Sequence, residues 1–106
     1  MKDGGDVLVR IKRAVLQGRT RFSKKALLEM EADRLTELDI EEAILNAHVI
    51  YKKIRSQSPH RAKKVEYLYV LQSTNLDGIF IYTKGKFLRE GNTEIFYFLI
   101  SAKKSV

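Results

Sequence analysis

The sequence has no cysteine and no tryptophan, a single proline, Pro59, and only two histidines, His48 and His60. Without cysteine, neither a disulfide framework nor a zinc–thiolate site can form. The histidines stand far apart with no metal-ligand spacing, so neither a metal nor any other cofactor is expected. No long hydrophobic run exists: the longest, Ile95–Ile100, is well short of the roughly 20 residues a membrane helix needs. Met1–Asp6 is polar and is not followed by the apolar core of a signal peptide. These absences lead to the expectation of a soluble, cytoplasmic protein with no membrane partner.

What is present is enough for one small core. A chain of 106 residues with 44% hydrophobic content is expected to form a single domain over 1–106. Its net charge of +7 is unevenly spread. Met1–Tyr51 carries nine Lys or Arg against nine Asp or Glu, whereas Lys52–Val106 carries eleven against four. The whole excess therefore lies in the second half, which points to a polyanionic partner, nucleic acid or an acidic protein.

The hydrophobic period changes at the same place. Asp6 is a candidate cap for a helix over about Val7–Gln17, which Gly18 would stop. Arg19–Phe22 reads as a short extended link. Ser23 caps a second helix, about Lys24–Asp33, and Thr36 with Asp39 forms a capping box for a third that runs to Asn46. Val65–Gln72, Gly78–Phe87 and Glu94–Lys103 are rich in aromatic and β-branched residues and are separated by Asn, Asp and Gly. The expected fold is α+β. About three helices, over residues 6–47, pack on one face of an antiparallel sheet of three to four strands, over 48–104, the extra strand lying at His48–Tyr51.

Alternation assigns sides to the strand residues. In the last strand Phe96, Phe98, Ile100 and Ala102 are expected to cover the helices, leaving Tyr97, Leu99, Ser101 and Lys103 on the front. In the middle strand either set can face inward. Lys84 and Lys86 flank Gly85, a candidate bulge position. Beside this front lies Tyr51–Lys64, with seven basic side chains, His60 counted with Lys52, Lys53, Arg55, Arg61, Lys63 and Lys64. Lysine and arginine neutralise phosphates, and tyrosine rings stack on unpaired bases, so single-stranded RNA suits the surface better than a duplex. Lys52, Arg61, Lys63, Lys64, Lys84, Lys86 and Arg89 are the expected RNA contacts. Tyr97 is open to two readings, a stacking platform or ordinary sheet packing.

The stretch "IKRAVLQGRTRFSKKALLEMEADRLTELDIEEAILNAHVI", with its amphipathic helix, "RTRFS" link and two further helices before a basic loop and sheet, resembles small bacterial domains related to the RelE, BrnT and MqsR toxins. The likeness runs from about Val9 to Lys103. It implies a RelE-like fold, a metal-independent endoribonuclease acting on messenger RNA, and a co-expressed acidic antitoxin as partner. By position in the MqsR-like pattern, it implies catalytic roles for Lys53 or Lys52, for Tyr82 or Tyr97, and for Lys103, with Gln57 a looser match. A non-catalytic RNA-binding module and a protein-interaction domain are the competing expectations.

Overall fold

The computed structural model describes residues 3–56 and 66–106. Three helices precede most of the sheet: α1 (Asp3–Leu16), α2 (Lys24–Ala32) and α3 (Glu37–Asn46). The strands are β1 (Thr20–Phe22), β2 (Lys52–Arg55), β3 (Tyr67–Thr74), β4 (Phe80–Glu90) and β5 (Thr93–Lys104). Helix α1 begins a turn upstream of the expected cap, and no helix among the described residues is long and apolar enough to cross a membrane.

Local signals end and start the helices as their chemistry demands. Gly18, at φ +71°, closes α1 with paired bonds from Arg19 N–H to the Ala14 carbonyl at 2.7 Å and from Gly18 N–H to that of Val15 at 3.1 Å. Arg34 closes α2 in the same way, but at φ 59° it does so with a side chain in the left-handed region. Ser23 accepts from Ala26 N–H at 2.9 Å, and the Thr36–Asp39 capping box is complete.

The sheet corrects the expected architecture. It is mixed and has five strands among the described residues, in the order β1-β5-β4-β3-β2, not three to four antiparallel ones. The unforeseen member is β1, the "RTRF" link, which pairs parallel with β5 through Thr20–Tyr97, Arg21–Phe98 and Phe22–Leu99. Three residues are too few to show alternation, and the partner lies at the other end of the chain. Strand β2 lies at Lys52–Arg55 rather than His48–Tyr51, because an edge strand tolerates the charges of "KKIR".

A second correction concerns which side of β5 faces the helices. Tyr97, Leu99 and Ala102 belong to the helix-side core with Tyr69, Leu71, Ile81, Ile11, Met30, Ile40 and Ile44. Phe96, Phe98 and Ile100 do not. One bulge explains the whole pattern. Gly85 opposes Leu99, while Lys84 opposes Ser101, so Ile100 has no opposite number and the alternation inverts there. Ahead of the bulge the odd-numbered residues face the helices; beyond it, Ala102 faces them and Lys103 faces away.

Gly85 is where the core needs it. A Cβ there would lie 2.7–2.8 Å from the Tyr97 ring and hydroxyl, so the tyrosine lies across the bare glycine. Phe87 packs edge-on to Tyr97 at 5.3 Å and to Tyr69 at 6.2 Å, which completes an aromatic layer under α1.

Candidate functional site

Among the described residues, no helix covers the sheet face opposite the core, and pairing registers define what stands on it. Gln72 pairs with Tyr82, and Tyr82 with Lys103, forming one row across three strands. Two residues along, Lys52 pairs with Val70 and Val70 with Lys84. A third row joins Lys86, Phe98 and Arg21. The open face thus presents five cations, a phenol, an amide and an aromatic ring. Lys52, Arg21 and Lys103 are exposed, and Tyr82, Lys84, Lys86 and Phe98 are half-buried.

Contacts within the face fix some of these groups. The Lys103 ammonium sits 5.5 Å from the Tyr82 ring centroid, a cation–π arrangement. Gln72 Nε2 donates to Ser105 Oγ at 3.3 Å, which holds the amide beside Tyr82. Arg21 stacks over Phe96 at 4.0 Å. Lys86 is paired with Glu66 at 3.3 Å, whereas Lys52 and Lys84 have no anionic partner among the described residues.

The expected catalytic set is split by this geometry. Tyr82 and Lys103 are direct cross-strand neighbours. Tyr97 is not on the face at all: it is fully buried, and its phenol is pushed far up by burial and, secondarily, by Tyr69. Lys53 pairs with Tyr69, on the helix side, and its ammonium lies over the Tyr67 ring at 4.3 Å. Of the two adjacent lysines, Lys52 is the one that shares a side with Tyr82. Lys84 and Lys86 share the face, because the extra residue of the bulge lies on β5 and not at Gly85, while Arg89 is held by Glu94 at 3.0 Å. Arg61, Lys63 and Lys64, like Gln57, lie outside the described residues.

Sequence reasoning missed Gln72 and Arg21 on this face. Gln72 carries no signal until the β3–β4 register places it against Tyr82, and Arg21 none until β1 is known to pair with β5. It also missed a cleft of about 90 Å³ at the other end of the β4–β5 ribbon, lined by Arg10, Arg13, Gln17, Arg19, Phe87, Glu94 and Phe96 among others. Among the described residues no group of three or more His, Asp or Glu side chains is placed to hold a metal ion.

Comparison with protein-family models, with characterised proteins and with solved structures finds no match.

Proposed function

We propose that the protein is a toxin-like, metal-independent endoribonuclease that takes single-stranded RNA on the open face of its sheet. The observation carrying this reading is the Gln72–Tyr82–Lys103 row with Lys84 and Lys52 in the next row. A cationic sheet surface with a ring at its centre suits an unpaired strand, whose phosphates meet lysines while a base meets the phenol. Cleavage needs only the RNA's own 2′-hydroxyl. Its oxygen bonds to phosphorus as the P–O5′ bond breaks, its proton passes to water, and Tyr82 supplies a proton to the departing 5′ oxygen. Lys103 and Lys84 hold the charge that gathers on the non-bridging oxygens, and Gln72 orients the strand. The reading puts the protein in the cytoplasm, and its resemblance to toxins supports an acidic antitoxin as partner.

The test uses purified protein and a labelled single-stranded RNA, with and without chelator. Cleavage is expected in both conditions and is expected to fall about 100-fold or more in Tyr82→Phe and Lys103→Ala. Tyr97→Phe is expected to cut normally. RNA left whole by the wild-type protein would remove the nuclease reading.

A second reading, binding without cleavage, is favoured by the separation of Lys53 and Tyr97 from the row. It would be established by salt-sensitive association with intact RNA.

A further inference from the structure

The cleft lies at the far end of β4 from the Gln72–Tyr82–Lys103 row and adjoins the third row of the RNA face, where Arg21 stacks on Phe96 of its lining. Phe87 stands five positions along the strand from Tyr82, about 17 Å at the usual rise. Its wall is cationic: Arg10, Arg13 and Arg19 line it, and Arg89 adjoins it through Glu94. Glu94 already demonstrates the chemistry that fits. Its carboxylate accepts from Arg10 Nε at 3.3 Å and also from Arg10 Nη2, a two-pronged grip, and it accepts from Arg89 as well. The Arg10 guanidinium lies over the Phe87 ring at 4.4 Å, which holds the fork in place. Arg13 and Arg19 are exposed and have no anionic partner among the described residues.

The neighbouring surface indicates what kind of anion belongs there. On α1, Val9, Arg13 and Leu16 follow at helical spacing and form one exposed stripe. Val9 is 52% exposed and Leu16 73%. Apolar side chains flanking an arginine have no use to a phosphodiester, but they suit a polypeptide that carries leucine-like residues between its acids. A cleft of about 90 Å³ admits a side chain; small-molecule pockets run to roughly 300 Å³ or more.

We infer that α1 and this cleft form a docking surface for an acidic amphipathic segment of another protein. One carboxylate enters between Arg13 and Arg19, and apolar residues on either side of it cover Val9 and Leu16. The inference rests on the acidic-partner part of the proposed function, for which it supplies the docking surface, and not on RNA cleavage, so either can fail alone.

A fluorescein-labelled amphipathic peptide of glutamate and leucine tests it by anisotropy against the full chain. Saturable binding is expected. It should weaken about tenfold or more in Arg13→Ala/Arg19→Ala and measurably in Leu16→Ser, and stay unchanged in Lys84→Ala/Lys103→Ala. A matched peptide with lysine for glutamate should not bind. The arginines are exposed and have no anionic partner among the described residues, so circular dichroism should show the double variant folded, and its RNA association should equal wild type. Failure of the acidic peptide to bind, or binding indifferent to the two arginines, overturns the inference. So does loss of RNA association in Arg13→Ala/Arg19→Ala, which would assign the cleft to RNA.

Discussion

Gly85 and Tyr97 act as one unit, because the ring fills the space that any other residue's Cβ would claim. Gly85→Ala is therefore expected to destabilise the protein by about 1–3 kcal/mol through overpacking. Chemical denaturation should recover part of that loss in the pair Gly85→Ala/Tyr97→Leu, a non-additivity that independent sites would not show. The Tyr97 hydroxyl is buried without a hydrogen-bond partner among the described residues. Tyr97→Phe thus removes a desolvated polar atom and should leave stability unchanged or raise it by up to about 1 kcal/mol. Arg34 is the mirror case: a residue with a side chain holds the left-handed position that ends α2. Arg34→Gly should raise stability by about 0.5–1 kcal/mol, the relief of the left-handed penalty less glycine's greater chain entropy.

At the scale of elements, two carboxylates tie helices to their surroundings. Glu29 of α2 accepts from Ser101 Oγ at 2.7 Å and from Ala102 N–H at 3.0 Å, reaching β5 just beyond the bulge. Burial alone would raise its pKa, but bonds from Lys25, Ser101 and Ala102 and the Lys25 charge bring it below the ordinary value. Asp39 is lowered chiefly by the Thr36 backbone N–H; burial opposes this, and the Thr36 hydroxyl and Asn75 add to it. Both acids hold their protons less tightly when folded. Each therefore contributes stability above its ordinary value, 4.5 for Glu29 and 3.8 for Asp39, and loses it as pH falls through the folded value. Glu41, raised by burial and then by Glu37, works in the opposite sense. Denaturation midpoints should drop as pH is taken below about 5, and Glu29→Gln/Asp39→Asn should flatten that decline while lowering stability at neutral pH.

The helices were legible because their signals are local: Gly18, Ser23 and the Thr36–Asp39 box each act within a turn or so of where they stand. The sheet was legible only in part. Period two groups Tyr97 with Leu99 and Phe96 with Phe98, but nothing local says which group faces the helices, since both are apolar or aromatic. Gly85 marked the bulge in sequence, yet its effect falls on β5, across the register, where the extra residue is Ile100. For the same reason the Tyr82–Lys103 pair and Gln72 become visible only once strands are paired, and the arginines of the cleft only once α1 meets β5.

Over the molecule as described, cations gather on two adjoining surfaces, the open face and the α1 cleft, while the helix-side core stays apolar. RNA association should accordingly weaken with salt. Three or four phosphate contacts from Lys52, Lys84, Lys103 and Arg21 correspond to a log–log slope of about −2 to −3. Removing one lysine should make the slope shallower by about 0.7. Filter binding across a salt series would measure this, and a flat profile would exclude phosphate contact.

The parallel pairing of β1 with β5 also governs how the chain is born. Residues 20–22 are made well before their hydrogen-bonding partner, residues 97–99. During translation the leading helices and the "TRF" segment must wait with their apolar sides uncovered until the closing strand arrives. Until residues 97–99 have left the ribosome, the nascent protein is thus exposed to proteases and chaperones.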